Sequence, residues 1–519
     1  MKKLTIILTI ILLPSFIMAA NWNDVNRDDI IDDNDIKAIR DYIIGNPSTD
    51  YDYEKADLNK DGIINVADLV ILIGVGSEVP SEDILNGYVE LSQMPNAVNY
   101  LPEPVGQDDP RFIDDRIQWE WGKTQRTTER AIQAKKHALR GSYVVRSMMA
   151  GVLGLNAITY EIAPALSKLL DKAYWTGWHS ATTAKSFYKR PRPFAFMGEE
   201  AWIAADKEDD TGSFVSATTA GCWAAALILA EMWPPRQESI LRQAFLFGED
   251  RVISGSNFQS DVNGGYLSGS ASVAQAHNNE FLKNDILTAR DEYRQLLGMP
   301  ADYDAVANSA IPLGYYILNP PVTIDSYRYE ADLEHYRYAK TLRDTPRVEQ
   351  AIADGNESAE YMFQVYSEVL GIDISPDNTP NICKLIEDVQ TASIDITNRV
   401  KWAFYRPRPF EELEEPTAMP EEEIKYRGSS SYPSGHTSFA WSVALVLAEV
   451  IPAYQDQILR RGYDFGYNRL VSGYHWSTDI EAARILASIN VAYLHNSNSF
   501  CYQITQARTD YLNCLNKQE

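Results

Sequence analysis

The sequence predicts an all-α protein made of two tandem helical bundles behind a small N-terminal module. Two apolar runs of helix-forming residues, Ala224 to Trp233 and Ser438 to Ile451, are each followed by a proline. Alternating strand patterns are scarce along the chain. Because 519 residues exceed what one hydrophobic core usually holds, we expect several domains, most of them helical.

An internal duplication defines the two bundles. The segment that begins at Phe247 recurs from Phe465, and we call the distance in sequence between these two residues the repeat spacing. The pentapeptide Arg-Pro-Arg-Pro-Phe also occurs once in each copy. We therefore place one domain at residues 97–316 and the other at 317–519.

The N-terminal segment, residues 1–20, has the composition of an export signal. Lys2 and Lys3 precede an apolar run from Leu4 to Met18, and two small residues follow it. The run is short for a membrane helix, which needs about 20 residues, and we see no later candidate span. A net charge of −25 disfavours a nucleic-acid binder. We expect residues 1–20 to be a signal peptide and the protein to be exported, to the periplasm or the extracellular medium.

Two segments after the signal have the spacing of calcium-binding loops. The loops start at Asp24 and Asp57, and each has oxygen side chains at positions 1, 3, 5, 9 and 12. This spacing wraps one hard cation in oxygen ligands, so the sequence predicts two Ca²⁺ sites. The predicted ligands are Asp24, Asn26, Asp28, Asp32, Asp35, Asp57, Asn59, Asp61, Asn65 and Asp68.

The paired loops resemble type I dockerins, the modules that attach enzymes to cohesin-bearing scaffolds. The resemblance implies a cohesin-type scaffold protein as a partner, although such pairs also serve as stabilising calcium clips. Asp29 stands in the first loop where the turn favours Gly, which predicts a weaker site there. We assign residues 21–75 to this dockerin-like module, and residues 76–96, rich in Gly, Ser, Pro and Glu, to a linker.

Three clusters in the second copy carry residue types suited to phosphate chemistry. In the first, Lys401 and Arg408 are seven residues apart in sequence. Seven residues are about two turns of an α-helix, which would place both cations on one helix face. Pro407 and Pro409 should end that helix near Arg408. A forked guanidinium and an ammonium together suit a phosphate dianion.

The second cluster is a helix start at Pro433, Ser434 and Gly435, just before the second apolar run. The free N–H groups of such a start bind anions, and Gly435 lets the backbone approach closely. His436 would then lie beside the anion, where it can protonate a leaving oxygen.

The third cluster contains Arg469, His475 and Asp479. His475 and Asp479 have an i, i+4 spacing, so the carboxylate can hold one ring nitrogen as N–H and leave the other as a nucleophile. Arg469 adds a further cation for the oxygens of a phosphoryl group.

Together, the clusters resemble the Lys-x6-Arg-Pro, Pro-Ser-Gly-His and Ser-Arg-x5-His-x3-Asp signature of the type 2 phosphatidic acid phosphatase superfamily. The second copy is most similar to its class A bacterial non-specific acid phosphatases. The resemblance implies hydrolysis of a small phosphomonoester, with no metal needed for catalysis. His475 would attack phosphorus, Asp479 would orient it and His436 would act as general acid. The residues implied to hold the phosphoryl oxygens are Lys401, Arg408, Ser434, Gly435 and Arg469.

This mechanism predicts a mildly acidic pH optimum. His475 must be neutral to attack, whereas His436 must carry a proton to act as an acid. One departure from the family pattern is Asn468, which stands where the family usually has Ser before the Arg. It should alter a hydrogen bond rather than abolish the chemistry.

The first copy keeps the cations but lacks the histidines. Thr218 occupies the position of the acid and Asn257 that of the nucleophile. Neither residue can form a phosphohistidine, so we predict a degenerate, inactive domain. The retained residues are Lys185, Arg192, Arg251 and Asp261. They leave two alternatives open, weak phosphate binding or a role in packing alone. Class A enzymes tend to self-associate, so the tandem copies suit an intramolecular pseudo-dimer.

Two other functions remain as alternatives. A vanadium-dependent haloperoxidase resembles the same superfamily and holds vanadate where phosphate would lie. A protein whose main role is scaffold docking would have the N-terminal module as its principal feature. A lipid phosphatase of this superfamily usually carries membrane spans, which this sequence lacks. Of the four cysteines, Cys501 and Cys514 are close enough in sequence to suggest a disulfide in an oxidising compartment.

Overall fold

The computed structural model describes residues 25, 33–48, 51–57, 64, 81–203, 206 and 211–518. These residues form α-helices and short 3-10 helices, with no strand among them, which confirms the all-α prediction. The chain divides into two compact units, residues 1–81 and 82–519. The predicted signal peptide, residues 1–20, lies outside the described residues.

The first unit contains helix α1 (Asp33–Ile43) and a 3-10 helix (Tyr53–Ala56) in its described part. Helix α1 begins inside the first predicted calcium loop and continues beyond it. Ala38 and Ile39 of α1 are buried against Val25 and Ala56. These apolar contacts form a small core within the described part of this module.

The second unit contains the two repeats. The first helices of this unit are α2 (Glu82–Asn86), α3 (Ala97–Tyr100), α4 (Ile113–Gln125), α5 (Arg130–Ala138), α6 (Ser142–Leu153), α7 (Pro164–Ser180), α8 (Thr182–Tyr188), α9 (Pro193–Met197), α10 (Ala217–Met232), α11 (Gln237–Ile253), α12 (Gln259–Ala276) and α13 (Glu280–Leu296). Those that follow are α14 (Gly314–Ile317), α15 (Tyr329–Thr341), α16 (Arg347–Ala353), α17 (Ala359–Leu370), α18 (Pro380–Ala403), α19 (Pro409–Glu412), α20 (Glu423–Tyr426), α21 (Gly435–Val450), α22 (Gln455–Val471), α23 (Ser477–Leu494) and α24 (Asn498–Gln518). The 3-10 helices of this unit are Leu91–Gln93, Pro110–Phe112, Pro234–Arg236, Leu342–Asp344, Pro420–Glu422 and Pro452–Tyr454.

The helices repeat in register. Helices α10 to α13 recur as α21 to α24, and their starts are separated by the repeat spacing found in the sequence. Helix α3 recurs as α14, which starts at Gly314. The second repeat therefore begins slightly before the predicted boundary at residue 317. We call the two parts the N-terminal repeat and the C-terminal repeat.

The predicted linker is shorter than expected. Residues 82–96 belong to the second unit, where Tyr88, Val89 and Met94 are buried in its core. The backbone N–H of Tyr88 also donates to Thr176 Oγ1 at 2.8 Å. Burial of these apolar side chains outweighs the flexible composition from which the linker was predicted.

The two repeats share their core. Within the repeats, α10 packs against α7 and α12, and α21 packs against α22 and α23. Between them, α12 contacts α21 and α10 contacts α23. Trp223 Nε1 illustrates the junction, because it donates to Ser270 Oγ in its own repeat and to Ser488 Oγ in the other. The repeats are therefore one compact body rather than two separate domains.

All four cysteines are free thiols. Cys501 and Cys514 both lie on α24. At the rise of an α-helix they are separated by about 20 Å along its axis. A disulfide needs its Cα atoms within about 7 Å, so the suggested pairing is wrong. No helix in the described part of the chain is both long and apolar enough to cross a membrane.

A cluster of four titratable side chains lies between the repeats. The rings of His277 and His495 stack with centroids 3.6 Å apart. Glu231 lies 2.9 Å from His277 Nε2, and Glu449 lies 2.9 Å from His495 Nε2. Burial alone would lower the pKa of His495, but Glu449 raises it to about 9.

This cluster predicts a pH dependence of stability. A His whose pKa is raised in the folded protein stabilises it below the unfolded pKa of about 6.5, and this contribution is lost as pH rises through about 9. We expect the melting temperature to fall between pH 6.5 and 9.5, by the equivalent of up to about 3 kcal/mol. His495→Gln should show a smaller fall, because glutamine keeps a polar contact to Glu449 without the charge. Equal slopes for both proteins in calorimetric scans would contradict the assignment.

Candidate active site

The start of helix α21 presents the predicted anion-binding N–H groups. Ser434 is its N-cap residue, and Ser434 Oγ accepts a hydrogen bond from the N–H of Thr437. The N–H of Ser434 itself donates to the carbonyl of Asp479 at 3.2 Å. The next two N–H groups, of Gly435 and His436, have no acceptor among the described residues, as expected at a helix start. Gly435 and His436, rather than Ser434, therefore offer backbone donors to an anion.

His475 lies in the turn between α22 and α23 and is buried. Its Nε2 lies 3.2 Å from Arg408 Nη1. Because a guanidinium can only donate, this contact makes Nε2 the unprotonated nitrogen and leaves the proton on Nδ1. Nδ1 lies 3.5 Å from Asp479 Oδ2, beyond a good hydrogen bond. The structure therefore places the carboxylate beside the ring as predicted, with the unprotonated nitrogen toward the cations.

Three cations surround this histidine. Lys401 Nζ and Arg408 Nη2 converge on one acceptor, the carbonyl of Ser430, at 2.6 and 3.4 Å. Arg469 is buried, and its Nε has no hydrogen-bond partner in the described structure. The convergence of Lys401 and Arg408 matches the prediction, but the predicted reason is wrong. Helix α18 ends at Ala403, so Arg408 is not part of the helix that carries Lys401. The prolines on both sides of Arg408 keep its backbone extended, and the chain turns after the helix to bring Arg408 close to Lys401.

His436 lies in the first turn of α21 and is also buried. Its Nε2 lies 3.0 Å from the carbonyl of Gly355, and its Nδ1 lies 3.3 Å from Glu357 Oε2. The side chain of Glu357 is 59% exposed, so this contact is open to solvent. A proton taken up by His436 can therefore be exchanged with water through Glu357.

The side chains of the site carry excess positive charge. Burial and the charge of Arg469 hold the pKa of His436 well below its usual range. Burial, Arg408 and Lys401 do the same to the pKa of His475. Burial and Arg408 also lower the pKa of Lys401 to about 7. A dianion bound here would reverse these shifts, because it would neutralise the mutual repulsion of the cations.

The altered pKa of Lys401 gives a test of anion binding. Its ammonium is present below about pH 7 and is lost above it, so inhibition by sulfate should weaken about tenfold or more between pH 6 and 8.5. Sulfate is a suitable probe because it remains a dianion throughout. Lys401→Arg, which keeps its charge, should show a much smaller change in inhibition constant. The same pH dependence in both proteins would exclude Lys401 as the titrating group.

Sequence reasoning missed the buried ion network beneath His475. Arg406 Nη1 donates to Asp479 Oδ1 at 2.8 Å, and Arg406 Nη2 donates to Asp332 Oδ2 at 2.6 Å. Asp479 Oδ2 accepts from the N–H of Trp476 at 2.9 Å. These two hydrogen bonds therefore fix the position of the Asp479 carboxylate beside His475. The repeated Arg-Pro-Arg-Pro segment was the available signal for Arg406, whereas nothing in the local sequence marked Asp332.

Asn468, the departure from the family pattern, has a structural role. Its Nδ2 donates to Asp354 Oδ2, and its Oδ1 accepts from Arg347 Nε, both at 2.7 Å. Arg469 Nη1 lies 3.5 Å from the carbonyl of the same Asp354. Asn468 therefore holds the segment against which Arg469 is positioned.

In the N-terminal repeat, Asn257 and Thr218 occupy the positions equivalent to His475 and His436. Asn257 Nδ2 donates to the carbonyl of Ser213 at 2.9 Å, and its Oδ1 accepts from Arg251 Nε at 3.3 Å. Thr218 lies in the first turn of α10 and is buried. An amide and a hydroxyl at these places support the prediction that this repeat is inactive.

Of the predicted calcium ligands, Asp35 and Asp57 lie in the described part. Asp35 is fully buried, and its Oδ1 accepts from the N–H of Val25 at 2.6 Å. The last residue of the loop thus folds back to its second residue, as a loop wrapped around one cation requires. These residues fit a calcium site. The other eight predicted ligands lie outside the described residues, namely Asp24, Asn26, Asp28, Asp32, Asn59, Asp61, Asn65 and Asp68.

Parts of the chain are similar to two known domain families and to acid phosphatases. Residues 163–283 and 389–503 match the PAP2 superfamily, and residues 23–74 match the Dockerin type I domain. A non-specific acid phosphatase of Providencia stuartii is 37% identical over 38% of this chain and 79% of its own length. One from Salmonella typhimurium is 32% identical over 39% of this chain and 83% of its own, and an acid phosphatase of Zymomonas mobilis is 33% identical over 38% and 75%.

The chain therefore belongs to the PAP2 superfamily, with two copies of its domain. The predicted enzyme class, acid phosphatase, is confirmed by these relatives. The dockerin resemblance is confirmed as well.

Proposed function

We propose that the C-terminal repeat is an acid phosphatase domain that hydrolyses small phosphomonoesters through a phosphohistidine on His475. The observation that carries the proposal is the state of the His475 ring. Arg408 keeps its Nε2 unprotonated at 3.2 Å, so a lone pair is available in a pocket lined by cations. Such a nitrogen suits attack on a phosphorus whose oxygens the same cations neutralise.

In the first step, His475 Nε2 forms a bond to phosphorus while the bond from phosphorus to the ester oxygen breaks. His436 gives its proton to the departing oxygen. Lys401, Arg408 and Arg469 balance the charge on the phosphoryl oxygens, together with the N–H groups of Gly435 and His436. Asp479 stabilises the positive charge on His475 through its Nδ1 side.

In the second step, neutral His436 takes a proton from water, and the resulting hydroxide attacks phosphorus. The bond from phosphorus to His475 Nε2 breaks, which releases inorganic phosphate and restores the ring. Lys401, Arg408 and Arg469 supply the positive charge that a metal ion supplies in other phosphatases. We therefore infer that catalysis needs no metal.

The pKa shifts are consistent with activity in acid. Since the pKa of His475 is well below its usual range, the nucleophile is neutral even at mildly acidic pH. His436 needs a proton, and the bound dianion would raise its pKa by opposing the charge of Arg469. Activity should therefore peak below neutrality and fall as His436 loses its proton.

The test is hydrolysis of p-nitrophenyl phosphate from pH 4 to 9, with and without EDTA. We expect a maximum below pH 7 and little effect of EDTA on the rate. A rate still rising above pH 8 would contradict the proton assignment. Bromide oxidation by peroxide with added vanadate, in place of phosphatase activity, would favour the haloperoxidase alternative.

We also infer that the protein is exported and that the N-terminal module binds Ca²⁺ and docks to a cohesin. The buried Asp35 carboxylate and the Dockerin type I match support this part. A type I cohesin should retain the protein in calcium and release it in EDTA, and Asp35→Ala should weaken retention. The N-terminal repeat would then serve as the inactive partner in an intramolecular pseudo-dimer.

A further inference from the structure

The N-terminal repeat retains a cationic pocket that its missing histidines do not use. Arg192 and Arg251 occupy the places of Arg408 and Arg469, and both are buried. Lys185 donates to the carbonyl of Gly212, as its counterpart Lys401 does to Ser430. The pocket therefore has the charge to hold a tetrahedral oxyanion.

A carboxylate of the chain itself lies in this pocket. Asp206 is only 2% exposed. Its Oδ1 accepts from Arg140 Nη2 at 2.9 Å, and its Oδ2 accepts from Ser256 Oγ at 2.5 Å. Burial alone would raise the pKa of Asp206, but Arg192, Arg251 and Arg140 hold it below its usual range. The carbonyl of Ser256 accepts from Arg192 Nη1 at 2.6 Å, so the residue that holds the Asp206 carboxylate also contacts a cation of the pocket. Asp206 is thus an anion beside the cations of the pocket.

The C-terminal repeat has no such carboxylate. Arg408, the counterpart of Arg192, has hydrogen-bond contacts to Ser429, Ser430, Tyr474 and His475, and none of these is a carboxylate. The counterpart of Ser256, the hydroxyl that holds Asp206, is Tyr474, whose Oη donates instead to the carbonyl of Met419. The hydroxyl and the carboxylate of the filled pocket are therefore both missing from the catalytic one.

We propose that Asp206 occupies the oxyanion site of the N-terminal repeat, so that this pocket binds no phosphate as long as the carboxylate is present. The pocket is a latent site for a tetrahedral oxyanion. Removing the negative charge of Asp206 should make this site available. This decides between the two alternatives left open by the sequence, in favour of a pocket filled from within. Asp206 also relieves the repulsion between buried arginines that an empty pocket would suffer.

The experiment counts inorganic phosphate bound per chain by equilibrium dialysis. Asp206→Asn, which keeps the shape and loses the charge, should bind one more phosphate than the wild type. Asp206→Glu, the matched control, keeps the carboxylate charge and should bind as many phosphates as the wild type. Adding Arg251→Gln to Asp206→Asn should abolish the extra site.

An unchanged count in a folded Asp206→Asn variant would overturn the proposal, as would two phosphates bound to the wild type. Asp206→Ser provides the same count if the asparagine variant does not fold. The readout is a difference of one site, so it is independent of the C-terminal repeat. If the proposed phosphatase site binds no phosphate, the wild type should bind none and Asp206→Asn should bind one. If that site does bind phosphate, the wild type should bind one and Asp206→Asn two.

Discussion

His475→Ala is expected to lower kcat for p-nitrophenyl phosphate by about 10⁴-fold or more, because it removes the atom that bonds to phosphorus. His475 is buried and its Nε2 contacts Arg408, so the variant should also lose stability, but the loss of kcat should remain in the folded protein. Steady-state rates and a melting curve on the same preparation measure both. A variant that keeps more than about a hundredth of the activity would exclude His475 as nucleophile.

The duplication supplies a matched control for this variant. Asn257 stands at the position equivalent to His475 in the other repeat, and it is buried and hydrogen-bonded to Ser213 and Arg251. Asn257→Ala should therefore cost stability, about 1–3 kcal/mol, but leave kcat of the folded protein unchanged. A large loss of kcat in Asn257→Ala would show that the N-terminal repeat takes part in catalysis.

The second large effect is expected from Arg406→Met, which breaks the buried network beneath His475. Arg406 bridges Asp332 and Asp479, both fully buried, and its removal leaves two carboxylates without a countercharge. Loss of one partner of a buried pair costs about 3–5 kcal/mol. Because Asp479 also faces His475, kcat should fall about 100-fold as well, as small displacements at a reacting centre do.

Arg190 is the equivalent residue in the N-terminal repeat and separates these two effects. It bridges Asp115 and Asp261 at 2.8 and 2.7 Å. Arg190→Met should lower the free energy of unfolding by a similar amount but leave kcat of the folded protein unchanged. Urea unfolding and kcat at saturating substrate measure the two quantities. Normal kcat in a folded Arg406→Met variant would show that this network serves the fold alone.

Several features were predictable because they depend on neighbours in the sequence. The long apolar helices, the N-cap at Ser434 and the i, i+4 pair of His475 and Asp479 are set within one or two helical turns. The repeat was visible because both copies keep the same motifs at one spacing. Residue types restricted the chemistry, since few side chains besides imidazole can act as both nucleophile and acid near neutrality.

Other features were not predictable, because they join distant parts of the chain. Asp332 reaches Arg406 across 74 residues, and Asp206 reaches Ser256 across 50. Nothing near either aspartate in the sequence marks its partner. The approach of Lys401 and Arg408 likewise depends on a shared carbonyl, of Ser430, rather than on a common helix.

The sequence by itself therefore determined the helical class, the duplication, the histidines and cations of the site and the loss of those histidines in the first copy. The tertiary structure alone decided that residues 82–96 pack into the second unit, that the repeats share one core and that Asp206 contacts Arg140 and Ser256. The physical reason is that periodicity and residue type are local properties. Burial and charge neutralisation depend on which distant groups the fold brings together.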